Sequence, residues 1–333
     1  MNGTVSDGEE LRFTILQRVP LAIYCCIMAF FGIFGNGTVI YSSLRYNAIR
    51  LDKISLIFVQ NLAIADILYT ICVILPQMVT YLAGGWVLGP VYCFLAAQIS
   101  FIPGSANALT VLALTGYRLR LISSPFSSVS RCAARGVMAG VWLAASSGTI
   151  ISLGYGSSST FNPANGKCMS SIYINKAAKV PFLLAVALIV ILPIFLTTIF
   201  NTVLVFFSIR SSRRMRNMTR RKGEKKKKES NYKALLMVCS LSGLFIVSWV
   251  PYITFTFLKM KSPDISPSLD LLAFHCIFIN SFGNPILYSL TNKRFGEYVK
   301  GVLRGLFCCC DVTPPAEPGL SSSTARATTE TET

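Results

Sequence analysis

Residues 54–93 read ISLIFVQNLAIADILYTICVILPQMVTYLAGGWVLGPVYC, and Asp66 is the only charged residue among them. The uncharged sequence continues as far as Tyr117. A helix that crosses a bilayer needs about 20 mostly apolar residues, so a run of this length can supply two such helices. The glycines and the proline within residues 82–93 mark a turn between them. This stretch therefore predicts two consecutive membrane-spanning helices.

Five further runs lack charged residues and are each long enough for one span: 19–44, 136–166, 180–209, 234–258 and 271–292. Only 14% of the 333 residues are charged, whereas soluble domains average about a quarter. We therefore predict an all-α membrane protein, a seven-transmembrane helix bundle with a short membrane-lying helix after the seventh span. The predicted spans are about 20–45, 54–82, 90–122, 133–155, 178–210, 231–259 and 268–290. An extracellular tail (1–19) precedes the bundle (20–290), and an amphipathic eighth helix (291–307) and a cytoplasmic Ser/Thr-rich tail (308–333) follow it.

The net charge of +17 is distributed unevenly between the connections. Lysine and arginine concentrate in every second connection and after the last span, at 45–53, 118–135, 210–233 and 293–304. Because positive residues accumulate on the cytoplasmic side, this pattern predicts an N-terminus outside and a C-terminus inside, in a multi-pass protein of the plasma membrane. The basic excess is then a signal of topology, and we expect no nucleic-acid partner.

Cysteine and asparagine positions suggest modifications on both sides of the membrane. Cys93 and Cys168 fall at the outer face, which is oxidising, so we predict a disulfide between them. Asn2 begins an "NGT" glycosylation acceptor on the outer tail. Three consecutive cysteines follow the amphipathic segment just inside the membrane and are candidates for palmitoylation: Cys308, Cys309 and Cys310. A zinc site there is less favoured, because Asp311 is the only acid beside them.

A few polar side chains interrupt the predicted spans, where they are costly and therefore candidates for function. They are Asn36, Asp66, Asn107, Asn280 and Asn284. One carboxylate among amides can bind a small cation, so we predict a sodium ion at Asp66. The alternative is a hydrogen-bond network that only joins helices. With a single acid inside the spans, we expect no enzyme, and the lack of repeated halves disfavours a transporter.

Several short motifs occur in a particular order along the chain. They are "GN" (35–36), "NLAIAD" (61–66), Cys93, "YRL" (117–119), Trp142, Cys168, Pro193, "FIVSWVP" (245–251), "NPILY" (284–288) and "KRF" (293–295). On these motifs the chain resembles a rhodopsin-like (class A) G-protein-coupled receptor over residues 20–310. The resemblance implies an extracellular ligand and a heterotrimeric G protein as partners. It also implies a receptor kinase and arrestin acting on the inner tail.

The resemblance assigns a switching role to Arg118, which matches the arginine of the family's Asp/Glu-Arg-Tyr motif. In the family the neighbouring acid restrains that arginine, but here Tyr117 replaces the acid and Leu119 the tyrosine. Asn231 stands where the sixth span often has a second acid. We therefore expect Arg118 to lack an acidic partner and the receptor to signal without ligand. Alternatives are a decoy receptor that couples poorly, or a Tyr117 hydrogen bond that closes the helix end. The other switch positions are Asn201, Phe245, Trp249, Pro251, Pro285 and Tyr288.

The resemblance also places a ligand pocket between the outer halves of the helices. Its residues here would be Ser100, Phe101, Gly104, Ala185, Ile189, Tyr252, Phe274 and Phe278. Ser100 replaces the aspartate that binds amines, and Phe278 replaces the lysine that carries retinal, so we expect neither an amine ligand nor retinal. An aromatic lining with few hydroxyls favours a neutral or lipophilic small ligand, or a short peptide.

Overall fold

The computed structural model describes residues 10–45, 49, 51–124, 129–170, 176–216, 222–261 and 266–308. Within these ranges only the backbone is described at 176, 178, 208, 211–234, 259–261, 267 and 306–308. Asn2, Cys309 and Cys310, with their predicted modifications, lie outside the described residues, and Cys308 is described by its backbone alone.

The described residues contain seven helices that are long and apolar enough to cross a membrane. Four of them are α1 (Ile15–Arg45), α2 (Lys53–Ala83), α3 (Gly89–Ser123) and α4 (Arg131–Gly154). Helix α5 comprises Lys176–Val186, a π-helical turn over Ala187–Ile191, and Leu192–Arg216. The bundle ends with α6 (Lys222–Lys261) and α7 (Pro267–Thr291), and α8 (Lys293–Cys308) follows. The predicted fold class is therefore confirmed.

The helix bounds differ most from the predicted spans where helices extend beyond the apolar sequence. Helix α1 begins at Ile15 rather than at residue 20, after a turn in which the Thr14 backbone N–H donates to Gln17 Oε1 at 3.0 Å. Helix α6 begins at Lys222 rather than at residue 231, in a segment of lysines and glutamates. These residues favour helix but not lipid, so hydropathy does not mark the helical ends that project from the membrane.

Helix α3 lies inside the bundle, in contact with α2, α4, α5 and α6. Three helices are tied together by one amide, because Trp142 Nε1 donates to Asn61 Oδ1 at 2.8 Å and Asn61 Nδ2 donates to Thr110 Oγ1 at 2.7 Å. Leu143 and Leu290, in contrast, are each 75% exposed on the outside of the bundle. Such large apolar residues suit contact with lipid rather than water.

A β-hairpin, which hydropathy did not predict, lies between α4 and α5. Strands β1 (Ser159–Asn162) and β2 (Lys167–Ser170) pair antiparallel, with Phe161 opposite Cys168. A disulfide joins Cys168 to Cys93 near the start of α3, as predicted. Gln98 Nε2 also donates to Ser159 Oγ at 3.2 Å. The hairpin is thus fixed over one end of the bundle, which we call the outer end. The opposite end, with Arg118, is the inner end.

Candidate functional site

A cavity of about 440 Å³ opens between the helices at the outer end. Four of the eight predicted pocket residues line it, namely Ser100, Phe101, Tyr252 and Phe274, together with Trp249. Aromatic rings form part of the lining, but so do several hydroxyl groups, of which the sequence led us to expect few: Ser100, Thr149, Ser152, Ser170 and Thr256. The volume lies within the range of about 300–1,000 Å³ that is typical of small-molecule sites.

The other four predicted pocket residues are not part of the cavity lining: Gly104, Ala185, Ile189 and Phe278. Phe278 is fully buried and stacks 6.2 Å from Tyr24, between ring centroids. Gly104 lies against the indole of Trp249, and a Cβ added there would come within 2.7 Å of the ring. Gly104 therefore makes room for Trp249 instead of facing the cavity.

Charged residues from outside the predicted set also line the cavity, namely Lys167, Lys179 and Asp270. Lys167 Nζ lies 3.9 Å from Asp270 Oδ1, and the two side chains are only 13% and 11% exposed. The same Nζ is 3.8 Å from the ring centroid of Phe274. Lys167 stands on strand β2, whereas Lys179 and Asp270 belong to α5 and α7. The inward position of Lys167 follows from the hairpin, which sequence reasoning missed.

A stack of rings leads from the cavity into the core of the bundle. Trp249 lies beside the cavity, and Phe245, one helical turn deeper, packs 5.6 Å from it between ring centroids. Phe245 is buried in the core cluster that surrounds α3. The two rings are in direct contact, so the stack connects the cavity to the core.

Asp66 forms a buried polar network in the middle of the bundle. Asn107 Nδ2 donates to Asp66 Oδ1 at 2.8 Å, and Asn284 Nδ2 donates to Asp66 Oδ2 at 2.7 Å. Asn36 joins α1 to α7 by donating to the Ser281 carbonyl at 2.7 Å. Asn280 is also buried, one helical turn before Asn284 on α7. Among the described residues it does not hydrogen-bond to Asp66. The structure thus brings together most of the predicted network.

The network also offers oxygen atoms that a small cation could use. The Asp66 carboxylate is fully buried, and the Oδ1 atoms of Asn36 and Asn107 have no hydrogen-bond partner among the residues described. Buried polar atoms without partners are rare and call for an unseen ligand or water. The residues present therefore fit a sodium ion in their chemistry, although both carboxylate oxygens already accept amide hydrogens.

An acidic partner of Arg118 is present at the inner end, so the expectation that it lacks one is wrong. Arg118 Nη2 lies 3.2 Å from Asp52 Oδ2, and the Tyr117 hydroxyl donates to Asp52 Oδ1 at 2.9 Å. Asp52 is the N-cap of α2, where its carboxylate accepts the Ser55 backbone N–H at 3.0 Å. One carboxylate thus caps α2 and contacts two consecutive residues of α3.

The protonation of Asp52 follows from these contacts. Partial burial raises its pKa, but the Ser55 backbone hydrogen bond, the Arg118 charge and the side-chain hydrogen bonds of Ser55 and Tyr117 together outweigh that effect and lower the pKa below its ordinary value. Asp52 is therefore ionised at neutral pH. The Arg118 Nε and Nη2 atoms make no hydrogen bond with any described residue, so Coulombic attraction dominates the contact with Asp52.

The comparisons with known proteins agree with this architecture. A family model described as "7 transmembrane receptor (rhodopsin family)" matches residues 35–288. The chain belongs to the rhodopsin family of seven-transmembrane receptors. This membership confirms the expectation of a receptor rather than an enzyme.

Individual relatives of this receptor are distant. It is 26% identical to somatostatin receptor type 1 of Rattus norvegicus over 91% of its own length and 74% of the relative's. It is 24% identical to a Gq-coupled rhodopsin of Mizuhopecten yessoensis, with 94% of its own length and 65% of the relative's covered. The crystal structure of squid rhodopsin matches with a TM-score of 0.72 and 18% identity, over 90% of this chain and 89% of that one. That match shows the fold alone.

The remaining switch positions of the receptor lie on α5, α6 and α7. Pro251 and Pro285 lie inside α6 and α7. Tyr288 is fully buried, and its hydroxyl has no hydrogen-bond partner in the described portion of the receptor; the same holds for Asn201 Oδ1. The side chain of Asn231 lies outside the description.

Proposed function

We propose that this protein is a plasma-membrane receptor, with its N-terminus outside, that activates a heterotrimeric G protein when an extracellular ligand enters the outer cavity. The observation that carries the proposal is the ion pair at the inner end between Arg118 and Asp52, whose side chain is 37% exposed to solvent. Release of Arg118 would present a guanidinium to a cytoplasmic partner. The ring stack from Trp249 to Phe245 supplies a route from cavity to core.

The ligand we propose is a small molecule with a largely apolar body, or a short peptide. Phe101, Tyr252 and Phe274 supply aromatic surface in the cavity. Relatives of the chain are named as receptors for somatostatin and for tachykinin-like peptides, and others as rhodopsins. Retinal does not fit, because Phe278 offers no amine at the position where the family's opsins carry lysine.

Coupling can be tested with Arg118→Ala at matched surface expression. We expect G-protein recruitment in transfected cells, basal or driven by a ligand library, to fall to background in this variant. Lys293→Ala, which removes a basic residue from the same end of the chain, serves as the control and should leave recruitment unchanged. Recruitment that is absent in the wild type would instead favour a decoy receptor, and recruitment that is present and equal in wild type and Arg118→Ala would show that coupling does not depend on Arg118.

We further propose that sodium binds at Asp66 in the inactive receptor and opposes activation. The ion would be held by Asp66 with the help of Asn107, whose side-chain oxygen has no hydrogen-bond partner among the described residues. Replacing sodium chloride by choline chloride should raise basal signalling in the wild type but not in Asp66→Asn. Equal sodium sensitivity in both would exclude Asp66 as the site.

For the inner tail we propose a receptor kinase, arrestin and palmitoyl groups as partners. The proposal rests on sequence: three cysteines follow α8 directly, and the segment 321–333 is rich in serine and threonine. Truncation after Asp311 should reduce arrestin recruitment and leave G-protein coupling in place. Unchanged arrestin recruitment would remove this role from the tail.

A further inference from the structure

Three groups that attract cations converge at one point in the outer cavity. They are the carboxylate of Asp270 and the ring faces of Phe274 and Tyr252. Lys167 Nζ occupies that point, 3.9 Å from Asp270 Oδ1, 3.8 Å from the Phe274 centroid and 5.5 Å from the Tyr252 centroid. All four residues line the cavity. The ammonium group of Lys167 therefore occupies a point in the cavity that a cationic group of a ligand could also occupy.

Deepening the proposed receptor function, on which this inference rests, we propose that Asp270, Phe274 and Tyr252 form an ammonium subsite of the ligand pocket. Lys167 fills the subsite before the ligand arrives, and the ligand's own ammonium group displaces it. Aromatic faces carry negative potential. A cation is therefore stabilised here by all three groups, whereas an anion approaching Lys167 meets the carboxylate and both ring faces.

The carboxylate stays in position when the lysine side chain leaves. Asn165 Nδ2 donates to Asp270 Oδ2 at 3.3 Å, while Asn165 Oδ1 accepts the Lys167 backbone N–H at 3.2 Å. Asn165 therefore holds Oδ2 of Asp270, while Oδ1 faces Lys167 Nζ.

The backbone of Lys167 is fixed independently of its side chain. The next residue, Cys168, forms the disulfide to Cys93. The preceding residue, Gly166, has φ +69° and its carbonyl accepts Gln77 Nε2 at 2.9 Å. A lysine has four side-chain carbons and can reorient without moving this backbone. Exchange of its ammonium for another therefore needs no rearrangement of the hairpin.

This subsite changes the expected charge of the ligand. The absence of an acid from the outer half of the third span disfavoured amine ligands, but Asp270 brings an acid to the same cavity from α7. The ligand class that fits is an apolar molecule or short peptide bearing one ammonium group.

Chemical rescue tests the subsite on purified receptor in detergent. Lys167→Ala removes the side chain beyond Cβ, and n-propylammonium has the three carbons and the nitrogen that are lost. We expect Lys167→Ala to lower the thermal unfolding midpoint, and n-propylammonium chloride to restore most of that loss in a saturable manner. Sodium butyrate and sodium chloride at equal ionic strength should not restore it, and neither should n-propylammonium in Lys167→Ala/Asp270→Asn.

Equal effects of propylammonium and butyrate, or rescue that persists without Asp270, would overturn the proposal. The Lys167–Asp270 pair would then serve only to hold the hairpin in place. If Lys167→Ala does not fold, the wild type supplies the measurement. Tetramethylammonium should then increase acetylation of Lys167 several-fold by mass spectrometry, relative to sodium; no increase would also overturn the proposal. Neither readout involves a G protein, so failure here is distinguishable from failure of the proposed coupling.

Discussion

Of the ion pairs at the two ends of the receptor, the inner pair is the shorter and the outer pair is the more buried. Arg118 and Asp52 approach to 3.2 Å, but the Asp52 side chain is 37% exposed. Lys167 and Asp270 are 3.9 Å apart, with side chains 13% and 11% exposed. Exposed pairs contribute about 0–1 kcal/mol because water replaces either partner. The outer pair is longer but less exposed to water, so separating it should need more free energy. The inner pair should separate more easily.

Removing one partner of the outer pair should give the largest effect. Asp270→Asn removes the carboxylate that faces the buried Lys167 ammonium, and we expect a loss of stability approaching about 3 kcal/mol. Thermal unfolding of purified receptor measures it. In Lys167→Met/Asp270→Asn neither charge remains, so that variant should be more stable than Asp270→Asn alone. If the double variant loses as much stability as Lys167→Met and Asp270→Asn lose together when measured singly, the two charges do not interact.

Removing the acid of the inner pair should affect signalling more than stability. Asp52→Asn keeps an N-cap acceptor for α2 but loses the charge that faces Arg118. We expect basal second-messenger levels to rise by up to about tenfold, which corresponds to about 1.4 kcal/mol in the equilibrium between off and on states.

The inner acid can also be moved from α2 to α3, to the position that precedes Arg118 in the sequence. Adding Tyr117→Asp to Asp52→Asn places the carboxylate beside Arg118 in α3, so basal signalling should return toward the wild-type level. A double variant as active as Asp52→Asn, at equal surface expression, would count against restraint by charge.

The hydroxyl of Tyr117 should make a smaller contribution to the same restraint. Tyr117→Phe keeps the ring, which packs 5.9 Å from that of Phe58, and removes only the 2.9 Å hydrogen bond to Asp52. One such bond is worth about 0.5–1.5 kcal/mol, so a rise in basal signalling of a few-fold is expected. In the Asp52→Asn background, Tyr117→Phe should raise basal signalling by a smaller factor. An equal factor in both backgrounds would show that Tyr117 does not act through Asp52.

The smallest expected effect is that of pH. A carboxylate with a lowered folded-state pKa contributes stability above its unfolded pKa and loses it only as pH falls through the folded value. The pKa of Asp52 is lowered, so the inner restraint should not change between about pH 6 and 8. Basal signalling of wild type minus that of Asp52→Asn, compared across this range, measures the restraint. A marked change with pH would assign the restraint to another group.

Hydropathy and charge predicted the bundle because they act locally along the chain. Each span needs only a sufficient run of apolar residues, and each connection carries its own charge. The same local information placed Cys93 and Cys168 at one face. It also identified Asp66, Asn107 and Asn284 as polar side chains at similar depth. For these features, sequence alone was enough.

Only the tertiary structure decided which charges meet. Asp52 and Tyr117 are 65 positions apart in the sequence, and their contact depends on the relative depth and rotation of α2 and α3. Asp270 meets Lys167 only because a hairpin turns the loop inward over the cavity. In both places the position next to the basic residue lacks an acid, and another segment supplies it. Hydropathy contains no information about such pairing, because it records how much each residue favours lipid and not which side chain it faces.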